Sequence, residues 1–471
     1  MLFEQLNLYV LKRISRLTEP IGNRARTLIV FVCFVIIGMI FSLKPSYAYD
    51  ARRMALISLI VLLLTAACSE GEMKPVKWSK PAALSLELFA LMMIVIRPLH
   101  SVGQGYMIFA FDILILLPML YIVLINRAKQ TRIIDLLSLA VIISGIVCFV
   151  FSMILAQGEG SYIVDGRVMG AVKNPNYYGM TGLALVISGI YNFASNYRNI
   201  GWRVMTAVIT GIGISMMLVS VSRTAILSAL ICAAVYLLFL IKGVKGYSVR
   251  NEDPTYNMRN RILLSAAIIL ILVLTTVGAL KLQQNVFYIA QSESNIHFAS
   301  MQAVPFLPEE VYADDGVEER TDENQTIGGR FSADTDINTF SSGRIGIWKR
   351  YIEHFNLTGN DLDTAKKRGF FEGLTEYRAH NNIIDYAFRF GIPAGLLYTV
   401  FYIAIIVKAA KLTFGRRRFT ADDLWVVMTA AVYAIYAMVE ISTLPFTRYM
   451  PCLFFLSAAP LLTETANREE S

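Results

Sequence analysis

Long apolar runs constrain this chain more than any other feature of its sequence. Runs long enough to cross a hydrocarbon layer of about 30 Å recur along most of its length. Hydrophobic residues make up 55% of the chain and charged residues only 17%. The sequence therefore predicts an all-α polytopic membrane protein, because a helix satisfies its own backbone hydrogen bonds in lipid. About twelve transmembrane helices are predicted, near residues 28–43, 54–68, 82–96, 106–125, 133–155, 177–194, 204–221, 224–241, 262–280, 383–407, 424–441 and 446–463.

The distribution of Lys and Arg predicts the sidedness of these helices. Short cytoplasmic loops of membrane proteins are enriched in both residues. If the N terminus lies inside, the N-terminal arm and the inside loops hold 23 Lys and Arg, against eight in the short outside segments. Both termini are therefore expected in the cytoplasm. The net charge of +8 is explained by this topology and does not predict nucleic-acid binding.

Hydropathy and charge together divide the chain into five predicted segments. An amphipathic arm precedes the first span, and one long hydrophilic region separates the ninth span from the tenth. The arm is expected to lie on anionic lipid, because its apolar residues recur at helical spacing among basic ones. The segments are a cytoplasmic interfacial helix (1–26), transmembrane helices 1–9 (27–280), an extracytoplasmic loop domain (281–382), transmembrane helices 10–12 (383–463) and a cytoplasmic tail (464–471).

The predicted loop domain has two halves of different character. Its first half carries an acidic stretch, residues 309–323, with few large apolar residues, which predicts a mobile insertion. Its second half, from Ser341 to Phe371, predicts a helix on the membrane surface, because apolar residues recur there at roughly helical intervals. The apolar residues are Ile345, Ile347, Trp348, Tyr351, Ile352 and Phe355.

Several cations lie where the charge rule disfavours them, at outer helix ends or in short outer loops. Arg223 is the most constrained, since only a few residues separate the two apolar helices that flank it. Such side chains either extend to lipid headgroups or converge on a phosphorylated ligand, for which the guanidinium fork is suited. Both interpretations remain open from the residues alone. The cations are Arg97, Arg167, Lys173, Arg223 and Arg448.

His380 is the histidine that most favours a chemical role. It precedes Asn381 at the point where the long loop is expected to re-enter the membrane. Imidazole is suited to proton abstraction near neutral pH, and cationic neighbours, Arg378 and Arg389, lie close in sequence. Arg389 can also pair with Asp385, because the two are spaced i,i+4 on one helix.

Four local motifs occur in a characteristic order along the chain. They are GRVMGAVKNPN at 166–176, VSRTAILS at 221–228, SSGRIGIW at 341–348 and HNNIIDYAFRFG at 380–391. Together with the long outer loop, they resemble the O-antigen ligase and O-antigen polymerase superfamily, which has the membrane C-type glycosyltransferase fold. The resemblance covers about 225 residues. One departure concerns Gly391 and Gly395, which form GxxxG where the ligase pattern has GxxG.

The resemblance implies a glycosyltransferase that moves a glycan from an undecaprenyl-pyrophosphate donor to an acceptor hydroxyl. The reaction is expected at the outer face of the bacterial inner membrane, without metal or cofactor. By correspondence of motifs, Arg223 and Arg344 bind the pyrophosphate and His380 is the catalytic base. The acceptor is expected to be a glycan or a lipid A-core-like molecule. Possible cavity-lining residues are Arg167, Asn174, Asn176, Asn381 and Arg389.

Two alternatives remain open at this point. A polymerase of O-antigen or capsular polysaccharide shares the fold, donor class and arginines of a ligase. A twelve-helix secondary transporter belongs to a different class, and Glu87 and Asp112 are the intramembrane charges that favour it. No repeat relates the two halves of the chain, and most unusual charges lie at the outer ends, which disfavours the transporter. A membrane scaffold is the third and weakest candidate.

Overall fold

A computed structural model describes the chain in twelve stretches. The described residues are 3–43, 49–68, 73–96, 105–156, 163–164, 167–196, 199–247, 258–298, 344–372, 378–415, 419–440 and 444–464. The predicted acidic stretch 309–323 lies outside them, as do Arg97 and the first three residues of the SSGRIGIW motif.

Helices form almost all of the regular structure in the N-terminal half. One π-helical turn, Lys80–Leu84, precedes α4, and another, Asp112–Leu116, joins α5 to α6. The helices are α1 (Glu4–Leu17), α2 (Asn23–Ser42), α3 (Tyr49–Ala67), α4 (Ser85–Ile96), α5 (Gly105–Phe111), α6 (Leu117–Thr131), α7 (Ile133–Leu155), α8 (Pro175–Ser195) and α9 (Ile200–Ser220).

The C-terminal half is also helical, and its longest helix is α11. The helices are α10 (Arg223–Tyr247), α11 (Met258–Phe298), α12 (Arg344–Glu353), α13 (Leu362–Lys367), α14 (Asn382–Phe390), α15 (Ile392–Phe414), α16 (Ala421–Val439), α17 (Tyr449–Ser457) and α18 (Ala459–Leu462). The described strands form one two-stranded antiparallel sheet between α7 and α8, with β1 (Ile163–Val164) paired to β2 (Arg167–Val168).

The protein is an all-α membrane protein in class. All twelve predicted apolar runs overlap helices, and eight helical segments of the described chain are long and apolar enough to cross a membrane. The remaining four predicted crossings stay a prediction, since their helices are shorter or less apolar. The eight segments are Asn23–Ser42, Met107–Asn126, Ile133–Leu155, Ile200–Ser220, Arg223–Lys242, Ser265–Phe287, Ile392–Phe414 and Ala421–Val439.

Two helix boundaries differ from those expected from hydropathy. Helix α11 continues to Phe298, well beyond the predicted start of the loop domain at residue 281. Buried Gln283 stabilises this extension, because it accepts from the Tyr178 hydroxyl at 2.8 Å and donates to the Ser215 hydroxyl at 2.8 Å. Polar contacts inside the bundle thus allow α11 to continue beyond the end of its apolar run.

The predicted tenth span is divided into two helices at Gly391. This residue has a φ of +88°, a conformation that glycine adopts without penalty. A Cβ added there would collide with the backbone carbonyl of Leu357. Pro393, in the first turn of α15, also favours a new helix start at this point. Consequently α14 is a separate short helix and α15 is the spanning one.

The closest helix pairing in the bundle joins α8 and α9. Gly182 and Gly213 face each other, and a Cβ at either position would lie 2.5 Å from the carbonyl oxygen of the other. Small residues allow membrane helices to approach this closely, since lipid supplies no hydrophobic force between them. The pairing places the C-terminal end of α9 beside the first turn of α8.

The described part of the predicted loop domain has an apolar core of its own. Ile347 and Tyr351 of α12 pack with Phe371 and with Phe388 of α14, and all four side chains are buried. The predicted helix after Ser341 is therefore present as α12, although Ile352 is exposed. Because α14 belongs to both this core and the helix bundle, the loop domain is held against the bundle.

Candidate functional site

His380 is held in place by its neighbours in the chain. The preceding residue, Ala379, is fully buried, and its carbonyl accepts a 2.5 Å hydrogen bond from the indole Nε1 of Trp348. The following residue, Asn381, caps α14 by accepting from the backbone N–H groups of Ile383 and Ile384. His380 itself has a φ of +47°, which is uncommon for a residue with a side chain. The backbone of His380 is therefore held between two anchored residues.

Arg344 and Asn382 converge on the C-terminal end of α16. The Nη1 of Arg344 donates to the carbonyl oxygen of Val439 at 2.5 Å. The amide of Asn382 donates to the carbonyl oxygens of Ala437 and Glu440, both at 2.9 Å. Carbonyl groups at a helix C terminus attract cations and donors, because they have no partner within the helix. These bonds place the catalytic candidates of the loop domain against the end of a spanning helix.

Glu440 occupies the centre of this arrangement. It follows the last residue of α16 directly and is only 6% exposed. Burial raises the pKa of its carboxyl group above the ordinary value, because the charged form loses its hydration. The side chains of Arg344, His380, Arg448 and Arg167, in decreasing order of effect, oppose this by lowering the pKa.

Arg167 connects the hairpin to the two helices that follow it. Its Nε donates to the carbonyl oxygen of Ser220, the last residue of α9, at 2.9 Å. Its Nη2 donates to the amide oxygen of Asn176, in the first turn of α8, at 2.6 Å. The antiparallel pairing of Val164 with Arg167 positions the backbone from which this side chain extends. Arg167 is thus a cation oriented by contacts from two elements.

Arg223 is the first residue of α10, at the turn that joins it to α9. The turn is tight because Val221 adopts a φ of +47°, a strained conformation for a β-branched side chain. Ser222 is buried against Gly179 of α8, where a Cβ would lie 2.7 Å from the serine Cβ. Arg167 binds the carbonyl of Ser220, three residues before Arg223, so both arginines belong to the same end of the bundle.

Four of the predicted cavity-lining residues have defined local partners. Asn174 caps α8 by accepting from the backbone N–H of Tyr177, and Asn381 caps α14 in the same manner. Arg389 donates to Asp385 at 2.8 Å, which confirms the predicted i,i+4 pair. Asn176 accepts from Arg167, as described above. The caps and the ion pair give these residues structural roles in the described contacts.

Arg448 approaches the cluster from α17, for which it is the N-cap residue. The centre of its guanidinium group lies 4.6 Å from the ring centroid of Tyr177, within the range of a cation–π contact. It is also one of the cations that act on Glu440. An unusual outer cation of the sequence is therefore part of the same constellation as Arg344 and His380.

Strained backbone conformations are concentrated around these side chains. Of the five described non-glycine residues with positive φ, four adjoin or belong to the site: Lys173, Val221, His380 and Phe446. Lys173 lies one residue before Asn174, Val221 lies two residues before Arg223, and Phe446 lies two residues before Arg448. The fourth is His380 itself. Strain of this kind costs about 1–3 kcal/mol per residue and persists where the surroundings impose it, often at functional sites.

Glu440 is the main site residue that the sequence-based interpretation missed. It ends the eleventh apolar run, and a charge at the edge of a span is a functional signal for acids as well as for bases. Only cations were selected by the charge rule, because that rule concerns Lys and Arg. Asn382 was visible in the HNN sequence, but its contact with α16 depends on the tertiary fold.

Searches of family models and of curated protein sequences gave no match to this chain. The resemblance to the O-antigen ligase superfamily therefore stands on the motifs described above.

Proposed function

We propose that this protein is a membrane glycosyltransferase that moves a glycan from an undecaprenyl-pyrophosphate donor to an acceptor hydroxyl. One observation supports the proposal most directly. Arg344 and Asn382, from separate parts of the chain, donate to the carbonyl oxygens of Val439 and Glu440 at the C-terminal end of α16. Asn382 lies two residues after His380, so an arginine and a histidine of the predicted loop domain are brought to the end of α16, beside the buried Glu440. A transferase for a diphosphate-linked donor needs this combination of a guanidinium group and a titratable base.

In the proposed reaction, His380 accepts the proton of the acceptor hydroxyl. The acceptor oxygen then forms a bond to the anomeric carbon of the donor sugar, and the bond from that carbon to the pyrophosphate oxygen breaks. The electron pair leaves with the lipid pyrophosphate, whose added charge Arg223 and Arg344 stabilise. Attack from the side opposite the leaving group inverts the anomeric configuration, which provides a stereochemical test of the product.

The sidedness belongs to the same proposal. The N terminus, the tail and the Lys-rich and Arg-rich loops lie in the cytoplasm, and Arg223, Arg344 and His380 face the exterior of the bacterial inner membrane. The charge distribution supports this orientation. An acceptor at that face, a glycan or a lipid A-core-like molecule, reaches the site without crossing the membrane.

The proposal can be tested with purified protein in lipid nanodiscs. The substrates are an undecaprenyl-pyrophosphate-linked glycan and a candidate acceptor, and product is detected by mass spectrometry. Wild-type protein should form a new glycosidic bond and release the lipid pyrophosphate, whereas Arg344→Ala should not. The matched control is Arg350→Ala, in the same helix, whose exposed side chain lies 3.8 Å from Glu353. Equal turnover by all three proteins would overturn the proposal.

The polymerase alternative uses the same donor and the same site. Its distinguishing feature is the acceptor, which would be a second lipid-linked glycan instead of a different acceptor molecule. Supplying only the donor therefore separates the two activities. A ladder of products that grow by one repeat unit favours a polymerase, and product formed only with an added acceptor favours a ligase.

A secondary transporter remains the second candidate because of one buried ion pair. Arg53 donates to Asp112 at 3.2 Å, both side chains are buried, and the guanidinium group lies 3.5 Å from the Phe109 ring centroid. Arg53 is the fifth residue of α3, about 6 Å along that helix, whereas transporter sites lie near the midplane, about 15 Å deep. Solute accumulation in proteoliposomes, with no turnover of the lipid donor, would favour this alternative.

A further inference from the structure

A small cavity, partly open to its surroundings, lies beside Arg448. It has a volume of about 90 Å³ and is formed between α2, α3, α8, α16 and α17. Its polar lining includes two arginines that are absent from the four sequence motifs. The cavity lining includes Phe41, Arg52, Tyr177, Thr181, Tyr436 and Arg448.

Each of the two arginines lies over an aromatic ring of the cavity wall. The centre of the Arg448 guanidinium group is 4.6 Å from the centroid of Tyr177, and that of Arg52 is 4.9 Å from the centroid of Phe41. Contact with a ring face restricts a guanidinium group to one plane. The two cations are thus oriented at the cavity by contacts with its walls.

The charge around the cavity is predominantly positive. Two arginines, Arg52 and Arg448, line the cavity, and the described lining contains no carboxylate. An anion that entered the cavity would therefore meet more positive than negative charge in its walls.

The size of the cavity restricts what it can hold. A cavity of roughly 150 Å³ accepts benzene, so 90 Å³ has room for a few water molecules or for one compact group. A carboxylate or phosphate group fits that description, whereas a hexose ring does not. The planar donor fork of arginine matches both groups.

We propose that this cavity, between Arg52 and Arg448, binds a carboxylate or phosphate group carried by the glycan substrate. Assignment of the group to the glycan rests on the proposed function. The cavity would then select acidic glycans, or glycans decorated with phosphate, over neutral ones. This site is additional to the pyrophosphate site assigned to Arg223 and Arg344.

Binding can be measured without the transfer reaction. The full-length protein in phosphatidylcholine nanodiscs is titrated with inorganic phosphate, glucuronate or glucose at constant ionic strength, and the thermal unfolding midpoint is followed. Phosphate and glucuronate should raise the midpoint saturably, and glucose should leave it unchanged. Arg52→Gln and Arg448→Gln should each weaken phosphate binding at least tenfold.

Two further variants keep the test decisive. Thr181→Leu retains both arginines but fills the cavity, because Thr181 is buried in its wall, and it should also lose phosphate binding. Arg13→Gln is the matched control, since Arg13 lies 5.4 Å from the Tyr9 ring centroid in α1, and it should bind phosphate as the wild type does. Unchanged affinity in the three cavity variants, or no effect of phosphate on the wild type, would overturn the site.

A lipid headgroup carries the same phosphate chemistry, and one further arm separates the two sources. Nanodiscs of phosphatidylglycerol replace those of phosphatidylcholine. If the glycan is the source, wild-type protein still responds to glucuronate in the anionic lipid. Loss of that response, together with a raised midpoint that Arg448→Gln abolishes, would assign the cavity to the lipid and overturn the glycan assignment. Neither result depends on turnover, so failure of the proposed reaction is detected separately.

Discussion

Arginine occurs at both ends of the helix bundle, buried at one end and half-buried at the other, and its contacts differ between the two ends. At one end, Arg26 is 5% exposed and donates from all three guanidinium nitrogens to protein acceptors. Its Nε binds the carbonyl oxygen of Ile21 at 2.7 Å, Nη1 binds that of Cys68 at 2.8 Å, and Nη2 binds that of Thr18. At the other end, half-buried Arg344 binds the carbonyl oxygen of Val439, and the next residue, Glu440, has a buried carboxylate.

This difference separates a structural cation from a candidate functional one. Arg26 satisfies backbone carbonyls that follow the last residues of α1 and α3, which is the usual demand of helix C termini. Arg344 and Arg167 also bind carbonyl oxygens at helix C termini, those of Val439 and Ser220. What helix termination does not require is the buried carboxylate of Glu440, the residue after Val439. We therefore expect substitutions at the Arg26 end to affect stability, and substitutions at the Glu440 end to affect turnover.

The largest expected effect on turnover comes from His380→Ala. Loss of a general base reduces the rate by about 10²- to 10⁴-fold, whereas the fold should survive because Ala379, Asn381 and Asn382 supply the anchoring contacts. The measurement is glycan transfer by purified protein at saturating donor. His354→Ala is the matched control, since His354 stacks on Phe370 at 3.9 Å in the same extramembrane unit, and it should retain turnover. Equal losses of turnover in His380→Ala and His354→Ala would contradict a specific role of His380 as the base.

The next prediction compares one substitution at each end, Arg26→Met for its effect on stability and Arg344→Met for its effect on turnover. Arg26→Met leaves several carbonyls without their donor, at about 1–3 kcal/mol for each unsatisfied group, so unfolding in mixed micelles should become easier by on the order of 3 kcal/mol. Arg344→Met loses a bond to Val439 and should cost about 1–2 kcal/mol, but should lower turnover by about 10²-fold or more. A larger stability loss in Arg344→Met than in Arg26→Met would contradict the assignment of Arg26 to structure and of Arg344 to function.

Hydropathy predicted much of the fold, because lipid requires internally satisfied backbone groups and helices meet that requirement locally. The division at Gly391 was not predictable in the same manner, since it depends on the carbonyl of Leu357, more than thirty residues away. The same holds for Arg26, whose acceptor Cys68 lies 42 residues further along the chain. Local pairs such as Asp385 and Arg389 were predictable from spacing alone.

The site was predictable where chemistry resides in a motif, and not where it arises from packing. His380, Arg223 and Arg344 were selected from motifs, and the structure places Arg344 and Asn382, two residues after His380, at the end of α16 beside Glu440. The role of Glu440 could not be inferred, because its burial depends on the packing of α14 and α17 against the end of α16. Arg52 was likewise missed, since only the tertiary fold brings it to the cavity that contains Arg448.

A smaller effect is expected from Glu440→Gln, and it depends on pH. Burial raises the pKa of Glu440 above 4.5, so the folded state binds this proton more tightly than the unfolded chain. The stability from this group is fully present below pH 4.5 and is lost as the pH rises through the raised pKa. Glutamine should therefore flatten the stability profile over the pH range above 4.5 in which Glu440 loses its proton, and stabilise the protein at the upper end of that range.

The same variant should lower turnover, because the cations around Glu440 lose the charge that holds them together. Stability and transfer would then change in opposite directions, which is expected of a carboxylate retained for function. Glu353→Gln is the matched control, since Glu353 is exposed and 3.8 Å from Arg350, and it should change neither quantity. A pH profile identical to that of the wild type would show that Glu440 is not the group that titrates.

The smallest effect concerns the pair of Asp385 and Arg389 in α14. The two side chains are 12% and 18% exposed and lie 2.8 Å apart at i,i+4 spacing. A double-mutant cycle with Asp385→Asn and Arg389→Gln should give a coupling of about 0.5–1 kcal/mol in unfolding, and each variant should keep turnover within about twofold of the wild type. Such a result assigns Arg389 to the structural class of Arg26, because its charge is satisfied within its own helix. A loss of turnover of about 10²-fold in Arg389→Gln alone would instead place Arg389 with Arg344, and the functional cluster would extend along α14.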